Sequence, residues 1–163
     1  MRWLVASAAA CVLALAACGS QYPGATVAEQ VRSWTNSSPD PKFPEAVSEL
    51  DRDLRGASVA QNLGNEALLR TECDVLVTDA LSANQNLPTP DGQLTTLLSR
   101  AYTSAVDAGQ DCFCAGGGRP CPQGKTTTNV LLEHFHDERA DTQRWLIEAQ
   151  ARVDTLLQDA REQ

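Results

Sequence analysis

The stretch Asn65-Glu66-Ala67-Leu68-Leu69-Arg70-Thr71-Glu72-Cys73-Asp74-Val75-Leu76-Val77-Thr78-Asp79-Ala80-Leu81-Ser82-Ala83 decides the fold class. Leu69, Cys73, Leu76, Ala80 and Ala83 recur at alternating steps of four and three. That spacing lines them up on one face of an α-helix and is the stripe by which a helix joins a bundle.

Toward the C-terminus, Asn84 to Gly92 carries Pro88, Pro90 and Gly92 and interrupts the pattern as a loop. A fourth helix is expected over about Pro90 to Gly109, with Leu94, Leu97, Leu98, Ala101, Ala105 and Ala108 in the same phase. Its alanine-rich stripe predicts tight packing on the third helix. Asp111 to Lys125, dense in cysteine, glycine and proline, is expected to be a loop. The longest helix should then run from about Asn129 to Ala160, with Leu131, Phe135, Leu146, Ala149, Val153, Leu156 and Ala160 as its apolar side. Glu138 and Thr142 fall on that same side. This polar gap reads as a place where the helix leaves the core or meets solvent or a partner.

Toward the N-terminus, Pro44 suits the first turn of a second helix whose stripe is Val47, Leu50 and Leu54. Gly56 is the expected stop, unless the periodicity resumes through Val59 and Leu63. Before it, Asn36 to Pro41 is a loop by composition. Thr26-Val27-Ala28-Glu29 has the form of a capping box, and Val27, Val31 and Trp34 follow at the spacing of one face, predicting a first helix from about Val27 to Ser33. Nothing alternates with period two for long enough to propose a sheet. The expected fold is therefore all-α, a bundle of four or five helices.

Ahead of these helices lies a segment of a different kind. Arg2 and the chain's amine form a positive start, Leu4 to Ala14 is an uncharged apolar run, and Leu15-Ala16-Ala17-Cys18 closes it. Eleven residues are too few to span a bilayer, which takes about 20. These first 18 residues resemble the lipobox signal peptide of bacterial lipoproteins, and the chain in general is similar to uncharacterised lipoproteins of high-GC bacteria. The resemblance implies that residues 1–17 are removed as a signal peptide. Cys18 then becomes the first residue, with a diacylglyceryl group on its thiol and an amine open to a further acyl chain such as palmitate. Two or three chains hold a protein on a bilayer stably, each buried methylene contributing about 0.8 kcal/mol. Residues 18–25 form a short tether, and 26–163 the helical domain. An ordinary secretory signal cut after Ala17 would leave Cys18 as a spare thiol. No other stretch approaches membrane-spanning length.

Charge narrows the partners. The chain carries 13 basic and 21 acidic residues, a net of −8, and loss of Arg2 with the signal makes it about −9. Phosphate backbones and anionic headgroups repel such a surface, so nucleic acid is excluded as a partner and electrostatic adhesion to membranes is disfavoured. A length of about 145 residues after Cys18 suits one domain.

Four cysteines remain beyond the anchor: Cys73, Cys112, Cys114 and Cys121. In an exported chain an even number reads as disulfides. A Cys112–Cys114 bond would close a strained ring around one residue. Cys73 with Cys112 and Cys114 with Cys121 is the preferred pairing, and the swapped Cys73–Cys114 arrangement stays open. A four-cysteine zinc site normally has gaps of two to four residues within each ligand pair, and gaps of one and six fit it poorly.

Candidate chemistry is thin. Glu133-His134-Phe135-His136 contains a Glu-x-x-His step of the kind di-iron bundles use, but those sites need a second such motif, and these are the only histidines. Two residues apart on a helix, His134 and His136 point about 200° apart and cannot readily share a metal. Gly124-Lys125-Thr126-Thr127 looks like the end of a phosphate-binding loop, but Arg119 stands where the first glycine belongs and no strand precedes it. The acidic cluster Glu133, Asp137, Glu138 and Asp141, with Glu45, Glu49, Asp51 and Asp53 on the second helix, reads as solvated surface. Carboxylate pairs catalyse only where the environment separates their pKa values. Neither Ser99 nor Ser104 sits in a Gly-x-Ser-x-Gly elbow.

The expectation is a non-enzymatic binding or scaffold module of the cell envelope, lipid-anchored at the extracytoplasmic face of the cell membrane. No metal or cofactor is expected. An envelope protein is the expected partner, and Glu133, His134, His136, Asp137 and Glu138, with the stapled glycine loop, form the candidate contact surface. The alternatives are an envelope hydrolase, with Glu133 or Glu138 buried at a raised pKa, or a small-ligand carrier with its site between helices.

Overall fold

A computed structural model describes residues 24–37, 42–121 and 127–162. Five helices follow in order: α1 (Val27–Ser37), α2 (Phe43–Asn62), α3 (Glu66–Asn84), α4 (Gly92–Ala115) and α5 (Thr128–Glu162). There is no strand among the described residues. Each of α2 to α5 packs on its sequence neighbour, most extensively at α4/α5, and α1 lies on α5, while α2 and α5 touch little. The all-α fold with two disulfide staples is as expected.

The ends of the helices follow local chemistry. At the start of α1, the Thr26 N–H donates to Glu29 Oε2 at 2.7 Å and the Glu29 N–H to Thr26 Oγ1 at 3.3 Å, which completes the capping box. The helix runs to Ser37, beyond the expected Ser33, and Trp34 packs on Phe43 at 5.6 Å between ring centroids. Helix α2 does not stop at Gly56. It continues to Asn62, because Leu54, Ala57 and Ala60 keep its buried stripe unbroken. The stop is at Gly64, whose φ of +62° is the left-handed turn that favours glycine. There the Gly64 N–H donates to Gln61 O at 2.9 Å and the Asn65 N–H to Ala60 O at 3.1 Å, the paired bonds of a Schellman ending. Asn65 turns at once into the cap of α3, its side chain accepting from the Leu68 N–H at 3.0 Å.

The core follows the stripes read from sequence. Leu69, Cys73, Leu76, Ala80 and Ala83 of α3 are buried, as are Leu94, Leu97, Leu98, Ala101, Ala105 and Ala108 of α4. Close packing of α3 on α4 centres on Gly109. A Cβ built there would lie 2.6 Å from Val77 Cγ2 and 3.0 Å from the Cys73 carbonyl oxygen. Only a residue without a side chain lets the two backbones approach to that distance.

Two further expectations are corrected. Asp111 to Ala115 are not loop but the last turn of α4, because Gly109 is held inside the helix at its contact with α3 and no glycine or proline follows it before Gly116-Gly117-Gly118. The polar gap on α5 is not an opening. Thr142 is fully buried, and its hydroxyl donates to the Glu138 carbonyl one turn back at 2.8 Å, so the hydrogen-bonding need that would call for water is met within the helix.

Candidate functional site

The helical placement of the cysteines decides their pairing. Cys112 and Cys114 stand two residues apart on α4 and so face opposite ways. Cys112 turns inward and bonds Cys73 of α3, with Cα atoms 5.8 Å apart. Cys114 turns toward the following loop and bonds Cys121, at 5.6 Å. Both separations lie in the range of ordinary disulfides. Cys114 and Ala115 form a small second core with Leu131 of α5. The end of α4 is tied again by Arg70, whose guanidinium donates to the Gly116 carbonyl at 2.6 Å. Cys18 and the Gly124-Lys125 step lie outside the described residues.

The candidate contact residues on α5 meet different neighbours. Glu133, His134, His136 and Asp137 are exposed and Glu138 is half-buried. His134 turns toward α4, its Nδ1 3.7 Å from Oδ2 of the buried Asp111. His136 turns toward α2, where the Gln61 amide donates to its Nε2 at 3.1 Å. Phe135 between them is fully buried. The two histidines thus straddle α5 and each meets a different neighbour. Among the described residues, no group of three or more His, Cys, Asp or Glu is placed to hold a metal ion.

The acidic residue with an unusual environment is Asp53, placed among solvated positions by sequence. It is only 2 % exposed. Arg52 donates to its Oδ1 at 3.1 Å, while Oδ2 is buried without a hydrogen-bond partner. Burial raises its pKa to about 6, the neighbouring Asp79 carboxyl of α3 adds to the rise, and Arg52 opposes it. The signal was present in the sequence. Asp53 lies three residues after Leu50 and four before Ala57, on the buried stripe of α2. A carboxyl at such a position is covered whatever its charge.

Asp91 shows the opposite case. Its Oδ1 accepts from the Leu94 N–H at 2.7 Å and from Arg152 Nε at 3.1 Å, and its Oδ2 accepts from Arg152 Nη2 at 2.7 Å. The Arg152 hydrogen bonds, against the cost of burial, hold its pKa below the ordinary carboxylate range. One side chain therefore caps α4 and locks α5 to it.

Where α2 and α5 separate, Pro44, Val47, Ser48 and Asp51 face Gln143, Leu146, Ile147 and Gln150 across a largely apolar groove of about 540 Å³. Ile147 is 70 % exposed there. At the other end, Arg139 Nη1 donates to Ser58 Oγ at 2.7 Å and helps close the same seam. A smaller groove of about 330 Å³ between α4 and α5 is lined by Ser99, Arg100, Thr103, Ser104 and Trp145. Sequence reasoning found neither, because each is made by residues from two helices.

Fold and site define a disulfide-stapled helical bundle with two surface grooves on α5. No family model matches the chain, and no curated protein or solved structure shows significant similarity to it.

Proposed function

We propose that the protein is an exported lipoprotein held at the extracytoplasmic face of the cell membrane by acyl chains on Cys18. In this reading its helical body is a non-enzymatic binding or scaffold module of the cell envelope, with an envelope protein as partner. The observation that carries it is Leu15-Ala16-Ala17-Cys18 directly after the apolar run Leu4 to Ala14. One feature of the fold supports it. All four remaining cysteines are engaged in disulfides, which suits a compartment that does not reduce thiols. No described helix is long and apolar enough to cross a membrane.

The tether limits the reach. Residues 18–25 extend at most about 3.5 Å each, which keeps the bundle close to the bilayer. Anchoring would act by raising the local concentration of the bundle over a partner in the same plane. The test is mass spectrometry of the N-terminal peptide from membrane fractions, with crosslinking in intact cells to identify neighbours. A peptide starting at diacylated Cys18, and a Cys18→Ala variant that loses membrane retention, are the expected results. An unmodified Cys18 thiol in the native protein refutes the anchor.

The apolar groove between α2 and α5 favours one second reading, carriage of a small apolar ligand. Native mass spectrometry separates the two, since a carrier would retain a stoichiometric small molecule. The hydrolase reading has less support. The buried acid with a raised pKa is Asp53 and not Glu133 or Glu138, and Asp53 lines neither of the two grooves on α5.

A further inference from the structure

Trp145 of α5 is half-buried with its ring packed against the core, and two guanidiniums lie over it. That of Arg144 is 4.4 Å from the ring centroid and that of Arg100, from α4, is 4.8 Å. Both are within the range of cation–π attraction. Arg144 is also paired with Asp141 at 3.0 Å. Arg100 has no carboxylate partner among the described residues, although the chain is strongly acidic. Beside it stand three hydroxyls of α4. Thr103 donates to the Ser99 carbonyl at 2.8 Å, while the hydroxyls of Ser99 and Ser104 have no partner among the described residues.

Stacking occupies the flat face of a guanidinium and leaves its N–H edge free. With its guanidinium carbon 4.8 Å from the ring centroid, Arg100 lines an open groove of about 330 Å³ together with the hydroxyl-bearing Ser99 and Ser104. A tetrahedral oxyanion matches that donor set, with two oxygens on the fork and a third on a hydroxyl. We propose that this α4/α5 groove is a phosphoryl-binding site, taking a phosphate ester from solution or from a lipid headgroup. The site stands apart from the anchoring of Cys18: an unmodified Cys18 would leave it intact.

The test is a titration of the full chain in detergent with inorganic phosphate, followed by tryptophan emission. The Trp145 signal is the difference between the parent and a Trp145→Phe variant. A saturable change in the millimolar range is expected, absent with sodium chloride at matched ionic strength. Arg100→Gln should weaken it about tenfold, and Arg100→Lys, which keeps the charge without the fork, by an intermediate factor. Arg100 is exposed, so both variants should keep the parent's helical circular dichroism. A second arm compares the chain in phosphatidylglycerol vesicles with vesicles of an uncharged glycolipid. A response to inorganic phosphate assigns the site to soluble phosphate esters, and a response confined to the phosphatidylglycerol vesicles assigns it to the headgroup. No response in either arm, or an Arg100→Gln variant that responds as the parent does, overturns the proposal.

Discussion

Asp53→Asn should make this protein more stable at neutral pH and leave it unchanged in acid. In the folded chain the carboxyl titrates near 6, against 3.8 for an ordinary aspartate. Below pH 3.8 it is protonated in both folded and unfolded states and costs nothing. As pH rises from about 4 through 6, the unfolded chain ionises first, and the folded chain must ionise a buried group. Stability is therefore lost across that window and the loss is complete above it. The gap of about two pKa units corresponds to roughly 3 kcal/mol at 1.36 kcal/mol per unit. Asparagine has the same shape, keeps a donor toward Asp79 and removes the buried charge. Arg52 loses a partner, but its side chain is 63 % exposed and stays hydrated. Urea unfolding of variant and parent at pH 4, 5, 6 and 7.5 measures the difference, in which the other carboxylates largely cancel. The variant should match the parent at pH 4 and exceed it by about 2–3 kcal/mol at pH 7.5. A variant less stable than the parent at pH 7.5, or a difference that does not change with pH, would refute the reasoning. Because burial is the largest cause and Asp79 the second, Asp79→Asn should recover only part of the effect.

Other perturbations test the remaining joints of the fold. Gly109→Ala should cost about 1–3 kcal/mol in thermal or urea unfolding, because its methyl meets the Cys73 carbonyl and Val77 at the α3/α4 contact. Asp91→Ala removes the cap of α4 and both bonds to Arg152 together, and should cost about 2–4 kcal/mol near neutral pH. Since its pKa is lowered in the fold, the ionic part of that contribution is present above pH 3.8 and fades as pH falls through the folded value, so parent and Asp91→Asn should converge in acid. The Cys73–Cys112 bond spans 39 residues and the Cys114–Cys121 bond 7. Loop-closure entropy then predicts losses of about 4 and about 2.5 kcal/mol on replacing each pair by alanines, and equal losses would count against this account.

The fold class was legible in the sequence because apolar periodicity is a local property. Leu69, Cys73, Leu76, Ala80 and Ala83 share a face of a helix wherever that helix is placed. The capping box at Thr26 and the loops marked by proline were equally local. Gly56, expected as a stop and passed through by α2, shows how far local signals reach. Glycine inside a helix costs only about 1 kcal/mol, and the buried stripe from Leu50 to Ala60 outweighs it. The lipobox at Leu15 to Cys18 is also a matter of sequence alone, since it is read before any fold exists.

Tertiary structure decided everything that depends on which helix faces which. Cys112 and Cys114 take different partners because α4 continues through both, turning one toward α3 and the other toward the loop. Asp53 becomes a buried acid because α3 covers it and sets Asp79 beside it. Arg100 meets Trp145 across 45 residues of chain only because α4 and α5 pack along their lengths. Periodicity assigns a residue to a face, but the energy of a buried charge or a stacked cation depends on distances to atoms far along the chain, and those distances exist only after the helices have packed.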